Sequence, residues 1–270
     1  SAALALTLLA PSVLLPPPSA ATPTVAYVQL APDPRLAEHL PFGLPGTGEL
    51  HVRDGYALSY DSWLKVPRWV GYRVSHEGLA GDAVRGDDFR PDPELKPHQS
   101  AQLEDYRRSG QQRGHMAPAG SMRHDPKRMS ESFLLSNIAP QVRGVNVGLW
   151  RSLEARERAW AEARGDVFVM TGPAFLPVDG DKEIRFAVIG NSRVAVPTHF
   201  WKIIARRAPD GSLETLAFLV PNHEGLAKDL GRYLVSVREL ERVTGLDFFS
   251  ALPDEQARPL KAEAAGRLWP

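Results

Sequence analysis

Three observations predict an α+β fold for this chain. Strand-like apolar runs are separated by a few helix-like segments without regular alternation, which argues against a doubly wound α/β sheet. Hydrophobic residues make up 43% and charged residues 24% of the 270, the balance of a globular chain rather than a disordered or repetitive one. Twenty-four prolines favour turns and extended connections over long helices.

The N-terminal stretch stands apart. Residues 2–15 are almost wholly apolar, and no charge occurs before Asp33. This run is too short to cross a bilayer, which takes roughly 20 residues, and it has the length of a signal-peptide core. Small residues at Ser19, Ala20 and Ala21 resemble a cleavage site, although a basic leader and an initiator Met are absent from the sequence. Residues 1–22 are therefore read as an export-signal remnant or a flexible apolar leader, and the protein is expected to be secreted or periplasmic, with no stable membrane span. Residues 23–49 read as a Pro/Gly-rich leader, residues 50–253 as the main domain, and residues 254–270 as a charged, loosely held tail.

Within the main domain, residues 56–60 (YALSY) and 70–74 (VGYRV) alternate apolar and polar positions as strands do. Residues 78–112 are polar, carry Pro91, Pro93 and Pro97, and read as a long ordered loop of the kind that is often functional. An apolar stretch at 133–140 leads to a helix-forming one at 146–165, where Leu149, Trp150, Leu153 and Trp160 recur near helical spacing and Gly165 supplies a stop. Residues 167–173, 186–190, 200–204 and 213–221 read as four further strands, and 235–244 as a short helix before a turn at Gly245.

The composition excludes several chemistries. Without cysteine there is no disulfide, no thiolate metal site and no cysteine nucleophile. Thirty-two basic residues balance 32 acidic ones, so the chain is not a globally basic nucleic-acid binder. Between residues 101 and 160, however, ten Arg/Lys face six Asp/Glu, a local basic excess.

Three pieces of sequence carry candidate chemistry: Gln112-Arg113-Gly114-His115, Ser136-Asn137-Ile138-Ala139-Pro140-Gln141 followed by Asn146, and Trp150 with Glu154 and Arg158. The glycine lets a cation and an imidazole share one tight piece of backbone. Histidine can take a proton from water near neutral pH. Arginine presents a fixed fork of donors to a phosphate. Asn146 offers the hard carbonyl oxygen that Mg²⁺ accepts, alongside several waters. On a helix starting near Asn146, the residues Asn146, Trp150, Glu154 and Arg158 recur at four-residue intervals. Each piece alone has an ordinary reading: a surface turn, a turn cap at Asn137, an exposed Glu154–Arg158 pair, a core tryptophan.

Together the pieces resemble the DNA/RNA non-specific endonucleases, a family with the ββα-metal fold of the His-Me finger superfamily and a central antiparallel sheet flanked by helices. The resemblance extends over roughly residues 50–253, through Tyr72-Arg73-Val74, Phe89-Arg90-Pro91-Asp92-Pro93, Thr171-Gly172-Pro173-Ala174-Phe175, Val196 to Lys202 and Thr244 to Phe249. It implies a metal-dependent, sequence-non-specific endonuclease that cuts DNA and RNA to 5′-phosphate and 3′-hydroxyl ends. It implies His115 as general base, Asn146 as the direct protein ligand of Mg²⁺ (or Mn²⁺), and Arg113 near the scissile phosphate. Glu154 corresponds to an acid that binds metal-associated water, Arg158 to a phosphate-supporting arginine, Asn137 to a site-shaping residue and Arg85 to an upstream arginine that stabilises the transition state. Arg113 and Arg158 are also the expected nucleic-acid contacts, and a homodimer and a protein inhibitor are candidate partners. The family usually has Asp where this chain has Gln112, which keeps hydrogen bonding but loses charge and lowers the basicity of a nearby histidine. A pseudonuclease that binds nucleic acid without cutting it is the alternative, followed by a phosphodiesterase for small or lipid diesters and by a structural domain of an exported protein.

Overall fold

The computed structural model describes residues 33–178, 180 and 182–270. The expected export remnant at 1–22, and residues 23–32 of the expected leader, lie outside the described residues.

In chain order the elements are α1 (Pro34–His39), β1 (Leu50–Val52), β2 (Ala57–Asp61), β3 (Val66–Val74), α2 (His76–Leu79), α3 (Leu103–Tyr106), β4 (Gln112–His115), α4 (Pro126–Glu131) and β5 (Ile138–Gln141). A π-helical turn, Val145–Trp150, runs into α5 (Arg151–Arg164). There follow β6 (Val167–Ala174), β7 (Val188–Ile189), β8 (Val194–Ala195), β9 (His199–Arg207), β10 (Leu213–Pro221), β11 (Leu234–Val235), α6 (Val237–Thr244) and α7 (Asp254–Ala262). Seven strands form one sheet in the order β1-β2-β3-β6-β9-β10-β11, with every neighbouring pair antiparallel. The α+β class and the central antiparallel sheet are as the sequence predicts.

Strand β9 shows why the sheet is central. Its side chains alternate between two cores: Phe200 and Ile204 enter one, Trp201, Ile203 and Ala205 the other. A strand covered on both faces reads as a continuous apolar run, as residues 200–204 do, apart from Lys202. The second core packs α1, α6 and α7 through Leu40, Phe42, Val237, Leu240, Phe248 and Ala257. Ser236 caps α6 by accepting from the Glu239 N–H at 3.0 Å, and Gly245 ends it in a left-handed conformation (φ 69°) that favours glycine.

The first core carries the functional half. Strands β4 and β5 pair in a two-stranded antiparallel sheet, Gly114 opposite Ala139 and His115 opposite Ile138. The π turn and α5 follow directly, completing a ββα unit. Its Val145, Leu149, Trp150, Leu153 and Trp160 are buried against the sheet residues Tyr72, Val167, Val169 and Phe200. The Trp150 and Phe200 rings lie 5.6 Å apart. Burying each such aromatic contributes on the order of 2–3 kcal/mol, which fixes the unit on the sheet.

Three expectations need correction. The polar stretch 78–112 is not purely loop, since it holds short helical turns at α3 and Pro97–Gln99. Of residues 186–190 only Val188–Ile189 form a strand, paired with β8 outside the main sheet. The tail is packed rather than loose: Lys261 pairs with Glu241 at 2.7 Å and Asp247 at 2.8 Å, and the Trp269 ring meets Trp160 at 5.1 Å while Arg206 lies 4.0 Å over it. Lys261, which reads as a solvated charge, is here partnered, and a Trp–Trp contact has no local signature. Trp269→Ala is expected to lower stability by about 1–3 kcal/mol through lost burial and lost edge-to-face contact, measured as a fall in the urea midpoint; a change within about 0.5 kcal/mol would show that the tail contributes nothing.

Candidate active site

His115 ends β4, and hydrogen bonds hold its carbonyl and the backbone of the two residues that follow. Its carbonyl accepts the Trp150 indole N–H at 3.2 Å. The next residue, Met116, donates its N–H to the Asn137 carbonyl at 2.9 Å. Asn137, fully buried, then clamps Ala117: its Oδ1 accepts the Ala117 N–H at 2.9 Å, and its Nδ2 donates to the carbonyls of Ala117 (2.9 Å) and Ser132 (2.8 Å). Asn137 therefore saturates backbone groups that burial would otherwise strand. At Gly114 the constraint is close approach, because a Cβ there would lie 2.2 Å from Oε1 of the buried Gln141.

The imidazole of His115 is buried between two aromatic rings, Phe89 at 5.2 Å and Phe133 at 4.9 Å, the latter edge to face. Its Nε2 has no hydrogen-bond partner. Two cations sit beyond the same rings, with Arg113 4.0 Å over Phe89 and the exposed Arg85 5.5 Å over Phe133. Burial, then the charges of Arg85 and Arg113, push the His115 pKa down to about 3, so the ring is neutral. The loop supplying Phe89 is tied down by buried Asp92, which accepts from Arg53 at 2.7 and 2.8 Å and from the Ser136 hydroxyl.

The helical half begins with the π turn, so its first turn is wider than the four-residue spacing assumes. Trp150 turns fully inward, while Asn146, Glu154 and Arg158 remain half-buried. Asn146 Nδ2 donates to Gln112 Oε1 at 2.9 Å, which commits the amide nitrogen and leaves its carbonyl oxygen as the other polar atom. The residue in place of the family Asp thus orients the candidate metal ligand. Glu154 is raised to about 7, chiefly by burial; Lys202 opposes this, Glu157 adds to it, and Arg158 and Arg85 oppose it. Among the described residues no ion pair joins Glu154 to Arg158, contrary to the ordinary surface-pair reading.

Two cavities, of about 560 and 450 Å³, share Arg85, His115 and Asn146 and together make one groove. The larger adds Phe89, Tyr106, Gln111, Gln112 and Arg113; the smaller adds Val147, Arg151, Glu154 and Arg158. Seven of the eight predicted site residues line this groove, whereas Asn137 lies under it. Among the described residues no cluster of three His, Cys, Asp or Glu forms a metal cage. The donors present, an amide oxygen and a carboxylate, suit a hard divalent cation that keeps most of its water. Glu157 and Phe133 carry no site signature in the sequence. Lys202 had a signal, a lone lysine in an apolar strand buried on both faces.

The lowered His115 pKa has a definite sign. The unfolded chain binds this proton near pH 6.5 and the folded one only near 3, so this group's burial costs stability as pH falls through that window. In the metal-free protein an NMR titration of the His115 ring is expected to show no protonation from pH 8 to about 4; a midpoint near 6.5 would contradict the desolvated ring.

The chain matches the family model for DNA/RNA non-specific endonuclease over residues 36–255. It is 44% identical to human mitochondrial nuclease EXOG over 220 residues, 78% of this chain and 60% of that protein, so it spans less than two thirds of that relative. It is 40% identical to human mitochondrial endonuclease G over 232 residues, covering 83% of this chain and 77% of that protein. Nuclease C1 of Cunninghamella echinulata is 37% identical over 229 residues, covering 82% of this chain and 90% of that protein. A solved complex of EndoG with EndoGI aligns with a TM-score of 0.77 at 37% identity, covering 84% of this chain and 96% of that one. The mitochondrial names do not support the expectation of a secreted or periplasmic protein. Among the described residues no helix is long and apolar enough to cross a membrane.

Proposed function

Because the chain belongs to the DNA/RNA non-specific endonuclease family, we propose that it hydrolyses the phosphodiester bonds of both DNA and RNA with the help of a divalent cation, Mg²⁺ or Mn²⁺. The observation that carries this reading is the neutral imidazole of His115, which makes no side-chain hydrogen bond and lines a groove with Asn146, Glu154 and three arginines. We assign the activity to residues 50–253, with α1 and α7 packed on the far core. Export rests on residues 2–15 alone and stays a proposal.

The His115 imidazole takes a proton, through its groove-facing ring nitrogen, from a water aimed at phosphorus, since a neutral imidazole with a free lone pair is the form that a general base requires. Its carbonyl bond to Trp150 and its two flanking rings hold the ring direction. Arg113, Arg85 and Arg158 brace the phosphoryl oxygens as negative charge builds on them. Asn146 and, through water, Glu154 would hold the cation, which supplies Lewis-acid stabilisation of the developing charge and of the leaving oxygen. As the water oxygen bonds to phosphorus the bond from phosphorus to the 3′ oxygen breaks, and that oxygen takes a proton from solvent water, giving 5′-phosphate and 3′-hydroxyl ends. Nothing in this chemistry uses a 2′-hydroxyl, and arginine contacts to phosphate read no sequence. A homodimer is a candidate assembly. The complex in the solved neighbour's title makes a protein inhibitor a candidate partner.

Digestion of supercoiled plasmid and total RNA tests the reading. Both substrates are expected to be degraded with Mg²⁺ or Mn²⁺ and spared in EDTA, and His115→Ala to lower the rate by about 10²–10⁴-fold. Binding without cleavage under any metal would sink it. Gln112→Asp places a carboxylate beside Asn146, in the groove that His115 also lines, and is expected to raise the rate several-fold. An unchanged rate in that variant would show that the lost charge is immaterial.

A further inference from the structure

Beneath the groove lies a buried ionic cluster that the chemistry above does not use. Lys202, at the centre of β9, is fully buried, and its ammonium donates to Glu157 Oε1 at 2.5 Å and to the Tyr72 hydroxyl at 3.1 Å. Tyr72 in turn donates to Glu157 Oε2 at 2.8 Å. All three side chains are sealed from solvent. A buried ion pair is poor evidence of stabilisation, because desolvating both charges offsets their attraction and an apolar pair often serves as well. The cluster's placement offers another reason for it. The Lys202 ammonium lies 4.5 Å over the Trp150 ring, and the Trp150 indole N–H holds the His115 carbonyl. Glu157 sits on α5 one turn beyond Glu154 and beside Arg158.

We infer that Lys202, Glu157 and Tyr72 are positioning residues for the phosphodiester chemistry: the cluster seats Trp150 and fixes the roll of α5, so that His115, Glu154 and Arg158 face one groove. This rests on the nuclease reading. A cation over an indole face is directional, and three mutually bonded groups from β3, α5 and β9 leave the helix one rotational setting. Misplacement of reacting groups by about 1 Å costs about 10²-fold in rate while leaving remote binding intact.

The test compares two variants of the full chain with wild type by kcat and KM on plasmid and by the Trp150 indole N–H resonance, with urea melts reporting folding. Tyr72→Phe removes only the hydroxyl that ties both partners. It is expected to stay folded, to shift the Trp150 resonance and to lower kcat about tenfold with KM within about twofold. Lys202→Met/Glu157→Met replaces the pair with apolar side chains; it is expected to fold with stability near wild type and to lose about 10²-fold in kcat. If this double variant fails to fold, Tyr72→Phe decides alone. A folded variant with kcat within twofold of wild type, or with a Trp150 resonance that does not move, overturns the inference. Should wild type cut nothing, the nuclease reading fails and the catalytic role of the cluster with it, while the indole resonance still reports whether the cluster seats Trp150.

Discussion

A buried hydrogen bond ties the two halves of the site together beneath the half-buried Asn146–Gln112 bond. The Trp150 indole N–H reaches the His115 carbonyl, linking the strand that carries His115 to the helix that carries Asn146, Glu154 and Arg158. It lies inside a packed core, where an unmade bond would strand a donor and an acceptor at a cost of roughly 1–3 kcal/mol each. The sheet beneath keeps it made, since Trp150 is pressed on Phe200 and covered by Lys202. The ββα unit is thus a rigid clip, and the groove is the gap it leaves against the loop of Arg85 and Phe89.

Electrostatics in the groove follow from which groups are dry. His115 loses its water to Phe89 and Phe133 and faces two arginines, which keeps it neutral. Glu154 is also pushed toward its neutral form, but Lys202, Arg158 and Arg85 pull it back toward ionisation. With Gln112 in place of Asp, the side chain bonded to Asn146 carries no charge, and five arginines (Arg85, Arg107, Arg113, Arg151 and Arg158) share the groove lining with the single carboxylate Glu154. The groove is therefore suited to an anion first, and a polyanionic phosphate backbone meets that condition.

Much of this was legible in the sequence, for physical reasons. Strand β10 coincides with the apolar run at 213–221, and β6 extends the run at 167–173 by one residue, because two-sided burial leaves few polar positions to confuse the pattern. The α5 stop at Gly165 and the Gly245 turn read correctly because only glycine takes those backbone angles readily. The motif residues on β4, the π turn and α5 meet in one groove. What was hidden depended on tertiary contact. Strand β4 is four residues with Gln, Arg and Gly, and pairs only because β5 lies beside it. The π turn has no residue signature and shifts the helical phase of Asn146 relative to Trp150. The tail's aromatic contacts span more than a hundred residues of sequence, as Trp160 and Trp269 do. The bond from Asn146 to Gln112 gives a structural use to the one departure from the family motif.

The proposed chemistry turns on the His115 ring itself taking the proton. Restoring a base from solution tests this most directly, because His115→Gly leaves a slot between Phe89 and Phe133 that free imidazole can fill. Plasmid cleavage by His115→Gly with Mg²⁺ is predicted to be nearly absent and to recover with rising imidazole, saturating as the slot fills. In His115→Gly/Asn146→Ala no recovery is predicted. A His115→Gly protein that cleaves at the wild-type rate without imidazole would contradict the account and assign the proton to another group.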